Sequence, residues 1–312
     1  MSQDGDREAG GATPEARGEH LAIVAPNPSP LTGRGTNTYV LWAGGEVLVV
    51  DPGPDDIGHL EAVARAATAR GRVVAVLLTH HHVDHAAGAP ALADALDAPL
   101  WGHPHREMPP LDRRLGPDEA LPLGGDRLVA VHTPGHAADH LCYHWPARQV
   151  LLTGDLIAGE GYIVIDPPEG DMALYLDSLR RVAALRPSLL LPGHGPEAGD
   201  ATARIEAYIG HRLAREAKVL EAVRKLGTKA PGDGPTAAGG SEAGGGPAPA
   251  GSAGGQPAGV LADALLPLAY ADTPPPLWPL ARRSLIAHLA KLERDGLVSV
   301  SPGDIEPRYR PA

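Results

Sequence analysis

Residues 77 to 88 read Leu-Leu-Thr-His-His-His-Val-Asp-His-Ala-Ala-Gly, directly on an apolar run from Val73 to Leu78. A buried strand that ends in His80-x-His82-x-Asp84-His85 leaves a chain few ways to fold, because all these polar groups must emerge at one end of it. Alternate residues of an extended backbone share a side, so His80 and His82 face one way and His81 the other. The first pair can bite one ion. As the chain turns into the next helix, Asp84 and His85 can face a second. Imidazole and carboxylate are the donors expected for Zn²⁺ or a similar first-row metal, so two Zn²⁺ are expected, with Mn²⁺ or Fe²⁺ as alternatives.

Composition narrows the site further. The chain has 312 residues, 15 histidines and a single cysteine, Cys142, so a metal must be held by imidazole and carboxylate, and no internal disulfide can form. Phenylalanine is absent, which leaves the core to Leu, Val, Ile and Ala. No run approaches the ~20 apolar residues of a spanning helix. The polar start, 1–19, has no apolar stretch and reads as a disordered tail, and a cytoplasmic location is expected. The net charge is -11, and residues 1–200 hold nearly twice as many acidic as basic side chains. Only 201–230 is clearly basic, so it is the one stretch suited to an anionic partner.

The pattern from 20 to 200 alternates short apolar runs with helical periodicity, as an α/β domain would. Strands are expected at Thr38 to Trp42, Val47 to Val50, Val73 to Leu78, Leu128 to His132, Leu141 to His144, Val150 to Thr153 and Leu189 to Leu191. Helices are expected at Ile57 to Ala69 and Ala86 to Leu96. A further helix from Ala201 to Leu226 is set by Ile205, Ile209, Leu213, Val219, Val223 and Leu226, and 201–230 reads as the link to a C-terminal part. Residues 231–259, nearly all Gly, Pro, Ala and Ser, read as a flexible linker. Within 260–312, Val260 to Leu268 and Leu280 to Arg294 read as helices and Leu297 to Val300 as a strand, which together suggest a winged-helix-like unit.

Three more donors follow at successive strand ends: His136 in Thr-Pro-Gly-His, Asp155 in Thr-Gly-Asp and His194 in Pro-Gly-His-Gly. A glycine before each lets the chain turn sharply out of its strand. The expected division is His80, His82 and His136 on one ion and Asp84, His85 and His194 on the other, bridged by Asp155. Among the remaining histidines, His81 reads as structural, and His59, His103, His105, His144 and His288 as surface or loop residues. Asp139 and His140 read either as ligand-orienting groups or as part of a simple turn.

This ordered set resembles that of the metallo-β-lactamase-fold hydrolases. Asp51, in Val-Val-Asp-Pro-Gly, matches the superfamily's strand-end aspartate that supports the ligands from behind. The resemblance implies a four-layer αββα sandwich over about 20–200 and a two-metal hydrolase in which a hydroxide attacks a carbonyl or phosphoryl centre. In it Asp84 orients the nucleophile and returns a proton to the leaving group. Gly154 to Gly161, Pro192-Gly-His-Gly-Pro196 and Tyr208 to Glu216 are similar to the β-lactamase-like-protein-2 group, which adds a winged-helix-like C-terminal part. Asp155 stands where the cysteine-containing true β-lactamases have Cys, which argues against antibiotic hydrolysis.

Substrate stays open between single-stranded RNA, which that group implies, and a small ester, thioester or lactone. Arg212 and Arg215 share a helix face with Tyr208 and read either as a solvated face or as contacts to an anionic substrate. A DNA-binding regulator is the third reading, disfavoured by the complete donor set.

Overall fold

The computed structural model describes residues 19–227, 259–302 and 306–312. The tail expected over 1–19 and the linker expected over 231–259 lie almost wholly outside the described residues. The chain divides into two compact units, Met1–Val164 with Pro168–Ile209, and Ile165–Pro167 with Gly210–Ala312.

The first unit begins with β1 (Glu19–Val24), β2 (Asn37–Ala43), β3 (Glu46–Val50), α1 (Ile57–Thr68) and β4 (Arg72–Leu77). Two short helices follow, α2 (Val83–Ala86) and α3 (Ala89–Leu96), then β5 (Leu100–Gly102) and β6 (Arg113–Arg114). These six strands form one sheet in chain order. The second sheet takes β7 (Glu119–Leu123), β8 (Asp126–His132), β9 (Leu141–Trp145), β10 (Val150–Gly154) and, beyond α4 (Met172–Ala184), β11 (Leu189–Pro192).

Alternation along each strand explains the layering. Tyr39, Leu41, Leu48, Val50, Ala75 and Leu77 point inward and pack with Leu128, Leu141, Tyr143, Leu152 and Leu191 of the other sheet. Val40, Val47, Val49 and Val76 point outward, under Leu60 and Val63 of α1 and Leu92 of α3. Both faces are buried, so the central strands are almost purely apolar. Helix α4 buries Met172, Tyr175, Leu176, Leu179 and Val182. The fold is the expected αββα sandwich, with large aromatic side chains at Trp145, Tyr143 and Tyr175 supplementing the aliphatic core.

One helix departs from the expectation. Instead of a single helix from Ala86 to Leu96, the chain breaks between α2 and α3, and Gly88 explains it. A Cβ there would sit 2.8 Å from both Leu60 Cδ2 and the Pro54 carbonyl oxygen. The Gly88 N–H donates to the Gly53 carbonyl at 2.9 Å, so the backbone is pressed against that turn. Pro90 then sits in the first turn of α3, where its missing N–H costs nothing.

Helix α5 (Ala201–Gly227) runs from the first unit into the second. The second unit adds α6 (Ala262–Ala269), α7 (Trp278–Arg294) and the hairpin β12 (Val298–Ser301) and β13 (Arg308–Pro311). Its own core joins Val219 and Val223 of α5, Leu265 of α6, Leu285 and Leu289 of α7, and Val298 and Tyr309 of the hairpin. This is the expected winged-helix-like arrangement. Among the described residues, no helix is long and apolar enough to cross a membrane.

Candidate metal centre

Strands β3 and β4 run parallel, as do β10 and β11, so their C-terminal ends open at a common edge. Asn37 N–H donates to the Gly193 carbonyl at 2.8 Å, and Leu141 N–H to the Thr79 carbonyl at 2.7 Å, which ties the two sheets together there. Asp51 follows β3, His80 and His82 follow β4, and Asp84 and His85 lie on α2. His136 lies in the loop after β8, Asp155 follows β10 and His194 follows β11. Eight side chains from five stretches of the chain thus meet in one place.

The preceding glycines serve different purposes. Gly154 turns the chain with φ +44°, in the left-handed region, as expected for a sharp exit. Gly193 has no such dihedral; instead, a Cβ there would lie 2.7 Å from His85 Cε1 and 2.9 Å from Asp155 Oδ1. It is small because the site presses on it.

Tautomers follow from what lies behind each ring. Asp51 accepts Thr79 N–H and Thr79 O–H, both at 2.7 Å, so the Thr79 oxygen is left to accept from His80 Nδ1–H at 3.0 Å. Asp51 also faces His85 Nδ1 at 2.8 Å. His136 Nδ1 faces the Val164 carbonyl at 3.0 Å, His194 Nδ1 the Gly35 carbonyl at 3.5 Å, and His82 Nε2 the Glu169 carboxylate at 3.5 Å. Each outer nitrogen meets an acceptor and carries the proton. Each inner nitrogen is therefore the one that can offer a lone pair to a cation.

Those lone pairs converge. His82 Nδ1 lies 3.0 Å from His80 Nε2 and 3.1 Å from His136 Nε2, while His85 Nε2 lies 3.3 Å from His194 Nε2. Asp84 Oδ2 approaches His194 Nε2 to 3.3 Å. Asp155 spans the two groups, with Oδ1 at 3.3 Å from His194 Nε2 and Oδ2 at 3.5 Å from His136 Nε2. Unshared lone pairs at such spacing repel unless a cation lies among them, and these spacings suit donors around ions with bonds of about 2.0–2.2 Å. Among the described residues, His80, His82 and His136 lie together, as do Asp84, His85 and His194, and His80, His85 and Asp155 form a further group across the two.

The local field also favours cations. Burial drives His80 and His136 toward the neutral form, the one that binds metal. Burial opposes charge on His85 too, but Asp155 and Asp51 outweigh it and raise that imidazole. Desolvation likewise opposes ionisation of Asp84, yet His85 and His194 hold its carboxyl down to about 2.

Several further residues brace the site. His140 accepts the Asp155 N–H at 3.0 Å through Nε2, and burial, reinforced by His136, pushes it down to about 3, so it stays a neutral acceptor. His59, expected on the surface, is buried: its Nε2 meets the Thr38 hydroxyl at 2.8 Å, which donates to the Asp51 carbonyl at 2.7 Å. That contact braces Asp51 in its left-handed conformation, φ 52°. Glu169 was not singled out by sequence; the Pro-Pro-Glu-Gly stretch around it has no metal-ligand spacing. His288, also expected at the surface or in a loop, is buried in the second unit.

Arg212 and Arg215 do not face solvent as expected. Both are buried in the second unit, and Arg215 donates to the Ala269 carbonyl and to Asp272 Oδ1, the latter at 2.8 Å. Its guanidinium also stacks over Tyr270, 4.2 Å from the ring centroid. This pairing is structural. Arg215→Ala is expected to destabilise the second unit by about 1.5–3 kcal/mol, the range for hydrogen bonds to charged groups, without raising KM; denaturant unfolding and steady-state kinetics check both. Hydrogen bonds from Arg215 and Lys218 hold Asp272 well below the carboxylate range. The pair's contribution is present at neutral pH and is lost as pH falls through that lowered value.

Comparison with known proteins agrees with this geometry. Residues 31–194 match the metallo-beta-lactamase superfamily, and residues 262–304 the beta-lactamase associated winged helix domain. The chain is 33% identical to the lactamase-like protein adaB of Aspergillus niger over 66% of its own length and only 64% of that protein's. It is 29% identical to the beta-lactamase-like protein 2 homolog of Drosophila melanogaster, over 93% of this chain and 92% of the other. An atrochrysone carboxyl ACP thioesterase of Aspergillus fumigatus is 30% identical over 66% of this chain and 65% of its own. In fold, a beta-lactamase domain protein from Burkholderia ambifaria superposes with a TM-score of 0.70 at 22% identity, covering 97% of this chain and 96% of that one.

Proposed function

Because the chain belongs to the metallo-beta-lactamase superfamily, we propose that it is a hydrolase with two Zn²⁺ ions that cleaves thioesters or related small esters. The observation that carries the reading is the convergence of five inner imidazole nitrogens, each with its proton turned outward, around the carboxylate of Asp155. His80, His82 and His136 would hold one ion, Asp84, His85 and His194 the other, with Asp155 available to both. When bound, the ions supply Lewis acidity and bring the pKa of water near neutrality. Asp51 and His140 keep the donors aimed, and Asp84, a quarter exposed, stands at the open side where it takes up and returns a proton.

Charge supports an acyl substrate over a nucleic acid. In the second unit Arg282 pairs with Asp263 and Glu306, Arg283 with Asp166, and Lys291 with Glu216 and Asp295. These cations are neutralised by neighbouring acids and do not form a phosphate-binding stripe. The related thioesterase makes an acyl thioester the substrate class to try first.

The test is an assay of the metal-reconstituted protein, with His82→Ala as control, against acyl thioesters, lactones and single-stranded RNA. Thioester hydrolysis that changes less than about twofold between 50 and 200 mM salt is the expected result. RNA cleavage that falls steeply over the same range, with thioesters untouched, overturns it, since phosphate contacts release counterions.

A further inference from the structure

His82 differs from the other four inner imidazoles. It turns Nδ1 toward the centre and Nε2 outward, where the others turn Nε2 inward, and, as Asp51 does for His85, a carboxylate from a distant loop faces its outer nitrogen. That side chain is Glu169, whose Oε2 lies 3.5 Å from His82 Nε2 and whose Oε1 lies 3.4 Å from His81 Nε2. His81 is itself anchored: its Nδ1 donates to Asp139 Oδ1 at 3.0 Å, and its ring stacks on His105 at 4.0 Å between centroids. Asp139 is almost fully buried. The four groups lie in a row, Asp139 to His81 to Glu169 to His82, hydrogen-bonded at its two ends and joined in the middle by the approach of His81 to Glu169.

We propose that Glu169 is a positioning residue for the metal centre, and that His81, backed by Asp139, holds it in place. The inference rests on the reading of His82 as a ligand. A carboxylate behind a ligating imidazole keeps the proton on the outer nitrogen, fixes the ring plane and raises the basicity of the inner nitrogen. The His81 ring, with Nδ1 on Asp139 and Nε2 toward Glu169, backs that carboxylate from the side away from His82. The side chain that alternation turns away from the ions thus fastens the outer support of its own neighbour.

The contact is selective. Among the described residues, Glu169 faces the group of His80, His82 and His136 and not that of Asp84, His85 and His194. Metal titration of the intact chain by calorimetry, with Zn²⁺ and with Co²⁺ followed by its visible spectrum, reads the two groups separately and needs no substrate. Glu169→Ala is expected to weaken one of two binding events by roughly 10- to 100-fold and leave the other within about twofold. His81→Ala should weaken the same event less, and the double variant should be no worse than Glu169→Ala alone. Glu169→Asp, which keeps the carboxylate, should recover part of the loss.

Equal affinities in wild type and Glu169→Ala, equal weakening of both events, or additive losses in the double variant would each overturn the proposal. If the wild type binds no metal, the reading of the site itself fails, a distinct result.

Discussion

Replacing Asp155 by Asn is expected to lower kcat roughly 10³-fold or more and to weaken retention of both ions. The carboxylate reaches toward both donor groups, with Oδ1 toward His194 and His85 and Oδ2 toward His136. Burial opposes its ionisation, but His194 and His85 keep it well below the usual carboxylate range, so it stands as a fixed buried anion between the two donor groups. Asn keeps the shape and the backbone contact to His140 but removes the charge. Losing several kcal/mol of metal and transition-state stabilisation at about 1.4 kcal/mol per decade gives the stated magnitude. Metal content after dialysis and turnover in excess metal measure the two effects separately. Two ions held as in the wild type, with turnover within tenfold, would remove Asp155 from its bridging role.

The reach of the sequence differs from place to place, for physical reasons. His80-x-His82-x-Asp84-His85 is legible because its spacing is local: alternation and one helical turn are enough to say which side chains share a side. His136, Asp155 and His194 are legible because each ends an apolar run, and strands that pair in parallel deliver their ends to one edge. Asp51 was readable only through family resemblance, since nothing in Asp-Pro-Gly separates a support from a turn.

What stayed hidden depends on contacts between segments remote in sequence. The break at Gly88 is set by the approach of Gly53 and Pro54, more than thirty residues earlier. Helix α4 went unread, as did β1, whose residues are only partly buried and lack a clear alternation. Arg212 and Arg215 look like a basic surface because cationic residues at helical spacing usually are one. Here Asp272, Tyr270 and the Ala269 carbonyl supply Arg215 with partners from a different helix and its following loop, and its burial becomes possible. Glu169 was invisible for the same reason.

Asp84→Asn should separate binding from proton transfer. Asp84 and His85 are neighbours in sequence, yet His85 is fully buried while the Asp84 side chain is 27% exposed. Asp84 Oδ2 lies 3.3 Å from His194 Nε2, close enough to share an ion, and the exposure leaves room for a reacting group beside it. Asn retains an oxygen donor, and His85 and His194 remain, so metal content should stay near that of the wild type. It cannot take up a proton, and kcat should fall about 10²- to 10⁴-fold, the span of general acid–base contributions. The contrast with Asp155→Asn discriminates: one substitution should cost turnover with the ions in place, the other should cost both. If Asp84→Asn loses an ion and excess metal restores full turnover, Asp84 serves as a ligand only, and the proton must move through water.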